Sequence, residues 1–421
     1  MAGGPLRSGA APARLTAVGL FAGIGGVEAG LAQAGIETVL CCEVADPARR
    51  VLAAQWPELP LAGDIVELSS LPEVDVISAG FPCQDLSQAG RTAGITGERS
   101  GLVGHVFRLL DAARRPPTWV VFENVKNMLP LDAGRAMRYL VGELEVRGYR
   151  WAYRVVDARF TGVPQRRQRV LLVASRTADP ADVLFADDAG EPDEDTHYRH
   201  DAYGFYWTEG VRGLGWARDA VPTLKGGSGF GIPSPPAIWL PGSPLKRRFV
   251  TPDVKATEIL QGFEPDWTAS AQRASRNPRW TLVGNAVTVP VAGWLGRRLV
   301  TPGRYVPDPD RERPLTDAER WPSAARGERG TRYRVAVSMW PERLDYRHLT
   351  ELIPSDLLRP LSHKAAAGFL QRTGRGSLRF VPEFLADLKR YVRYAARPTA
   401  RARPIPRPNT TADGTTGRRA S

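Results

Sequence analysis

LTAVGLFAGIGGVEAGL, Leu15 to Leu31, is the stretch whose reading decides the fold. A short apolar run ends in a loop carrying Gly23, Gly25 and Gly26, after which EAGLAQAG takes up the apolar spacing of a helix. Glycines at such a turn let the backbone close tightly against a ligand before the helix starts. The loop does not reproduce the G-x-G-x-x-G dinucleotide fingerprint, and any strand-to-helix turn needs glycines. Alone it therefore fits a cofactor loop and a plain turn equally well.

Working outward, the same alternation continues to about Ser175. LTAVGLF, ETVLCCE, VDVISAG, TWVVFEN, YRWAYRVV and RVLLVA read as strands, and PARRVLAAQW, GHVFRLLDAARR and AGRAMRYLVGELEVRG as helices between them. We expect one doubly wound α/β domain over residues 15–176. From 177 to 280 the pattern breaks into Gly, Pro and aromatic clusters, which predicts a smaller, loop-rich domain. TLVGNAVTVPVAGWLGRRLV then returns a helix over 281–300 to the first domain. Residues 301–329 read as a Pro- and charge-rich linker, 330–397 as a small C-terminal extension with a strand at RYRVAVSMW and a helix opened by Pro382. Residues 1–14 and 398–421 read as disordered.

Composition bounds the function class. The chain has 421 residues, 43% hydrophobic and 24% charged, with no run of the roughly 18 apolar residues that a membrane helix needs. That predicts a cytoplasmic protein with no membrane partner. Three cysteines, Cys41, Cys42 and Cys83, give neither a disulfide framework nor a metal-binding spacing, so no metal is expected. The net charge is +12, and 24 basic against 13 acidic residues lie from Thr301 onward. Such an excess favours a polyanionic partner, although an arginine-rich solvated tail would look the same.

Several residues then carry chemistry. Glu43, at the end of the second strand about 20 residues after the glycine loop, stands where α/β domains grip ribose hydroxyls. Asp64, in GDI, can accept from an adenine amino group or simply cap a turn. In AGFPCQDLS, Pro82 fixes the backbone, while Gln84, Asp85 and Ser87 make the surroundings of Cys83 polar at a strand end. A nucleophilic thiol fits that setting better than a small core residue. Glu123 ends an apolar strand in VVFENV, suited to proton transfer or to hydrogen bonding a base ring, or to a helix N-cap region. In GVPQRRQRVLLVA, Gln165, Arg167 and Arg169 share one side of an incipient strand, where arginines need anionic or carbonyl partners.

Taken in order, LFAGIGGVEAGL, Glu43, GDI, GFPCQDLS, ENV, QRRQR, TPDVKATEILQGFEPDW and GNAVTVPVAG resemble the motifs of the prokaryotic DNA (cytosine-5)-methyltransferases over about Leu15 to Val300. The resemblance implies a Rossmann-like S-adenosylmethionine-dependent methyltransferase domain with a smaller target-recognition domain. It says nothing of the basic C-terminal extension. It implies that S-adenosylmethionine lies against Phe21 and the glycine loop, with Glu43 on its ribose, and that Val44, Asp64, Ile65, Pro82 and Asn285 complete the pocket. Cys83 would add to C6 of a cytosine flipped out of double-stranded DNA, with Glu123 on the ring N3 and amino group. Arg167 and Arg169, supported by Gln165, would position the base carbonyl and adjacent phosphate. Ser87, Arg91 and Arg99, in the Gly-rich loop after Cys83, would join Gln165 as DNA contacts. Glu264 departs from the proline that the family often has there.

The implied role is self-DNA marking beside a restriction or phage-defence partner. Two other readings are open at this point: a transfer-RNA cytosine-5 methyltransferase on the same scaffold, and a DNA-binding module with an inactive site. The FPCQ form of the cysteine motif and the separate recognition segment argue against the first. The intact Cys83, Glu123 and arginine set argues against the second.

Overall fold

The computed structural model describes residues 14–82, 101–209, 211, 213–226, 234–272, 278–375, 378 and 380–396. Its centre is a ten-stranded sheet. Five parallel strands run in the order β3, β2, β1, β4, β5: β1 Thr16–Leu20, β2 Glu37–Cys42, β3 Leu61–Ala62, β4 Val76–Ala79 and β5 Trp119–Val125. Strand β6, Arg150–Asp157, and the two-residue β7, Gln165–Arg166, come next in the chain, and then β8, Gln168–Ser175, inserts antiparallel between β5 and β6. This is the doubly wound α/β fold that the alternating pattern predicts.

Strand residues alternate between two cores, as a two-residue period requires. Val18, Leu20, Ile77, Ala79, Val120 and Phe122 face one side, with Val106, Phe107, Leu140 and Leu144 from helices Leu102–Ala112 and Arg135–Val146. Ala17, Val76, Trp119 and Val121 face the other, against Leu31 of α1 (Gly26–Gln33) and Trp294, Leu295 and Leu299 of helix Val289–Val300. Both faces are covered, which is why these strands read as continuous apolar runs.

The segment expected as a linker is not one. After β9 (Tyr203–Phe205), β10 (Ala217–Arg218), β11 (Val221–Pro222), β12 (Ala237–Trp239) and β13 (Phe249–Pro252), the chain forms β14 (Glu312–Pro314), β15 (Ala324–Glu328) and β16 (Thr331–Val335). Strand β15 pairs antiparallel with β6, Ala325 opposite Tyr153, and β16 and β14 extend the sheet beyond it. Short polar strands of this kind carry no apolar run, so charge and proline content misleads there.

The C-terminal extension is likewise not a separate unit. Strand β17, Leu358–Pro360, pairs with β13 and completes a second, antiparallel sheet of order β10, β9, β12, β13, β17. Helices His363–Thr373 and Pro382–Ala395 bring Phe369, Phe384, Leu388 and Tyr391 against Phe205, Trp239 and Phe249 of that sheet. The boundary expected at 177 also shifts. Ala181, Val183, Leu184 and Phe185 still pack in the core of the large sheet, and the acidic loop after them receives Arg154, Arg298 and Arg311 on Asp187 and Asp188.

Many of the arginines behind the C-terminal charge excess are engaged within the fold. Arg326 pairs with Glu312, Arg332 with Glu145 and Asp317, Arg311 with Asp188, and Arg372 donates to the Trp207 and Glu209 carbonyls. Their charge is therefore weak evidence for a polyanionic partner. No described helix is long and apolar enough to cross a membrane.

Candidate active site

A cavity of about 480 Å³ opens where β1, β2, β3 and β4 end, the position at which open α/β sheets hold ligands. Phe21, Gly23 and Gly26 line it from the loop after β1, Glu43 and Val44 from the end of β2, and Asp64 and Ile65 from the turn after β3. Pro82 follows β4, and Asn285, Ala286 and Val287 close the far side. Every expected pocket residue except Gly25 reaches the lining.

Local geometry explains the loop. Phe21 has φ 55°, a left-handed conformation costing a non-glycine residue about 1–3 kcal/mol, which the surrounding hydrogen bonds must hold. Ala22 N–H donates to the Cys42 carbonyl at 3.1 Å and Gly25 N–H to the Ala22 carbonyl at 2.9 Å. Gly25 itself, φ 82°, sits beneath the loop, where a Cβ would meet the Trp56 ring at 2.3 Å. Glu43 is anchored twice, accepting from Gly23 N–H at 2.8 Å and Ala45 N–H at 2.7 Å, so both carboxylate oxygens are oriented before any ligand arrives. One Asp64 oxygen accepts from Val66 N–H at 2.9 Å, so the turn-capping role is realised too. Val44 is 68% exposed, an apolar side chain held out at the cavity mouth.

Among the described residues the cavity is lined by Glu28, Glu43, Asp64 and Glu123 and by no lysine, arginine or histidine. Phosphates need donors or positive charge, so a dinucleotide is disfavoured; a ligand carrying positive charge and hydroxyl donors suits this lining.

Glu123 joins the cavity to the arginine motif. Its Oε1 pairs with Arg169 Nε at 2.9 Å, while Oε2 lies 3.7 Å from where a Gly80 Cβ would be. One oxygen is thus tethered and the other faces the end of β4. Asn124, which the sequence reading passed over, is buried and donates from Nδ2 to the Phe81 carbonyl at 3.0 Å, tying β5 to the turn before Cys83. Its place in ENV was the available signal. Cys83, Ser87, Arg91 and Arg99 lie outside the described residues.

The structure assigns Gln165 and Arg167 differently from the direct contacts expected of them. Gln165 is fully buried, donating to Leu260 O and Gln261 Oε1 and accepting from Leu224 N–H. Arg167 is 1% exposed, and its terminal nitrogens donate to the carbonyls of Leu224, Gly284 and Ala286. In this geometry neither side chain reaches a nucleic acid. Together with Gln261, which donates to the Val283 and Ala286 carbonyls, they hold the Asn285–Val287 wall of the cavity. Such partners lie more than 50 residues away along the chain, beyond any motif. Gln261 and Trp267 come from the LQGFEPDW segment, and Trp267 Nε1 donates to the Ile24 carbonyl at 2.9 Å, docking that segment under the glycine loop.

The model of the family "C-5 cytosine-specific DNA methylase" matches residues 15–203. The Type II methyltransferase M2.BsuMI of Bacillus subtilis (strain 168) is 46% identical over 387 residues, covering 89% of this chain and 97% of the relative. A second, the Type II methyltransferase M.BsuFI of Bacillus subtilis, is 36% identical over 162 residues, 38% of this chain and 39% of its own. Among solved structures, that of the S. pombe Dnmt2 methyltransferase superimposes with a TM-score of 0.50 at 15% identity, covering 68% of this chain and 98% of that one, a likeness of fold alone. The DNA methylase match and the near full-length likeness remove the transfer-RNA reading. By these findings the chain belongs to the C-5 cytosine-specific DNA methylases, and its reaction is methylation of cytosine at C5 in DNA.

Proposed function

We propose that the acidic cavity holds S-adenosylmethionine and that Cys83 is the nucleophile acting on a cytosine flipped out of duplex DNA. The observation that carries this reading is the junction at the end of β4. The last described residue before Cys83, Pro82, lines the same cavity as Glu43, Asp64 and Glu123. When bound, the cofactor supplies an electrophilic methyl group. Glu43, with its oxygens preset, takes the ribose hydroxyls, Val44 covers the adenine, and Asp64 offers its second oxygen to the adenine amino group.

Cytosine C5 is too weak a nucleophile to attack a methyl sulfonium directly, so a thiolate must first add at C6. In that step the Cys83 sulfur forms a bond to C6, and the ring's electron density passes to C5 while N3 gains a proton. Glu123 is the group we assign to N3 and the exocyclic amine. Arg169 holds Glu123 by Oε1 and presents its guanidinium beside the site for the base carbonyl. Once C5 has taken the methyl group that the bound sulfonium would give up, leaving a thioether, loss of the C5 proton to a base and departure of the Cys83 thiolate from C6 would give 5-methylcytosine. Gln165 and Arg167 act at one remove, by fixing the Asn285 wall.

The likeness to Type II methyltransferases supports a role in marking self DNA beside a restriction or phage-defence system. Tritiated S-adenosylmethionine with duplex DNA or with transfer RNA tests the proposal. We expect label at C5 of cytosine in DNA, none in transfer RNA, and none in either with Cys83→Ser. Undiminished transfer by Cys83→Ser would overturn the assignment of the nucleophile.

A further inference from the structure

The floor of the cavity holds a carboxyl group that the mechanism above leaves unused. Glu28, the third residue of α1, is 2% exposed, yet it lines the cavity with Leu20, Cys42 and Ser78. Its Oε2 makes no hydrogen bond. Room for the side chain is built into β1: a Cβ on Gly19 would stand 2.0 Å from Glu28 Oε1, so glycine is required in the middle of a strand where it otherwise weakens packing.

A buried carboxyl normally has a cation. Among the described residues the other buried acids all do: Asp157 pairs with Arg159, Asp219 with His348, Glu258 with Arg279 and Asp387 with Arg248. Glu28 instead faces Glu43 and the thiols of Cys41 and Cys42 from β2, while β1 and β4 present Gly19 and Ser78. No cation among the described residues pairs with it, and leaving an ionised carboxylate so placed is costly. What Oε2 lacks is an N–H donor with positive charge, and the cavity is open to admit one.

We propose that the missing partner is the α-ammonium group of S-adenosylmethionine, so that Glu28 is a binding residue for the amino-acid end of the methyl donor and binding is coupled to a proton. This rests on the cavity being the donor site. The sulfonium cannot supply the hydrogen bond, and the ammonium can. Burial raises the Glu28 carboxyl to about 7, with Glu43 adding to the rise, so the empty protein holds a proton there at mildly acid pH. Both neighbouring thiols are pushed upward by burial and stay protonated at neutral pH. An arriving ammonium favours the carboxylate, and the proton leaves to solvent.

Calorimetric titration of the full chain in buffers of different ionisation enthalpy reads this directly. At pH 6.5, S-adenosylmethionine should release roughly three quarters of a proton per site. At pH 8.5 Glu28 is already ionised, and the ligand's amine, with an ordinary pKa of about 8, must take a proton up, so the sign reverses. Glu28→Gln, an isosteric change, should abolish the release at pH 6.5 and weaken S-adenosylmethionine and S-adenosylhomocysteine by about ten- to a hundredfold. Methylthioadenosine, which lacks the ammonium, should bind both proteins alike. Tight wild-type binding without proton release at pH 6.5 overturns the proposal without any variant, as does Glu28→Gln binding S-adenosylmethionine like wild type. Wild-type protein that binds neither thioether nor sulfonium refutes the cavity assignment itself, and Glu28 with it.

Discussion

The acidic cavity and the C-terminal third treat charge in opposite ways. Among the described residues of the cavity, Glu28 has an oxygen with no hydrogen bond, and Glu43 and Asp64 are oriented by backbone N–H groups rather than by cations. Among the described residues of the C-terminal third, many charges are matched inside the fold. Arg326 grips Glu312 through two bonds at 2.7 and 2.8 Å, and Arg332 grips Glu145 at 2.9 and 2.7 Å across 187 residues of chain. Matched charges fix an edge of the scaffold, while unmatched, oriented ones await a ligand. The sign and amount of charge in a region therefore say less about its partner than how much of it is satisfied internally.

The largest test of that contrast is truncation after Val300. The removed residues contribute Leu315 and Ala325, Ala324 and Trp340, Leu349 and Ile353, and Phe369 and Phe384 to four separate apolar clusters. We expect loss of cooperative thermal unfolding rather than a folded protein with weaker DNA binding. A truncated chain with native near-ultraviolet dichroism would contradict this. Next in size, Arg167→Met leaves three buried carbonyls short of a donor and should cost about 2–4 kcal/mol in urea unfolding. Arg169→Met, two residues along, should cost activity as well as stability, about a hundred- to a thousandfold in methyl transfer, because it also leaves the largely buried Glu123 carboxylate without its cation. Equal effects at both positions would erase the distinction drawn between them.

Smaller again, Val44→Ala should weaken S-adenosylmethionine about fivefold in a binding titration and leave the melting temperature unchanged, because the side chain is exposed until a ligand covers it. The smallest effect belongs to Glu312. Hydrogen bonds from Arg326 and Tyr305 outweigh burial and hold its carboxyl below the usual carboxylate range. Its contribution is then fully present above the ordinary carboxylate pKa and lost as pH falls through the depressed one. Glu312→Gln should flatten stability against pH in the acid limb, and an unchanged limb would count against the pairing.

These contrasts also mark what the sequence discloses. The alternating runs through Val173 were legible from local spacing, and the cavity-lining places of Phe21, Glu43, Val44, Asp64 and Asn285 from contiguous motifs and the family resemblance that they carry. The edge strands β14 and β15 were not, whereas RYRVAVSMW marked β16. ERP and AARGE have neither apolar period nor strand-forming bulk, and only pairing with β16 and β6 makes them strands. Gln165 and Arg167 carried the right residue types for DNA contact, but their partners at Leu260, Gly284 and Ala286 are visible only once the chain has folded. Glu28, two residues beyond the glycines, is a first-turn acid that no motif sets apart, and its burial depends on Gly19 in the neighbouring strand.

The most direct test of the account is covalent trapping at Cys83. With S-adenosylmethionine and duplex DNA in which cytosine is replaced by 5-fluorocytosine, the C5 proton needed for release is absent, and the account predicts a denaturation-resistant protein–DNA adduct whose linked peptide contains Cys83. An adduct that forms equally with Cys83→Ser, or no adduct on DNA that the wild type methylates in its unsubstituted form, would contradict it.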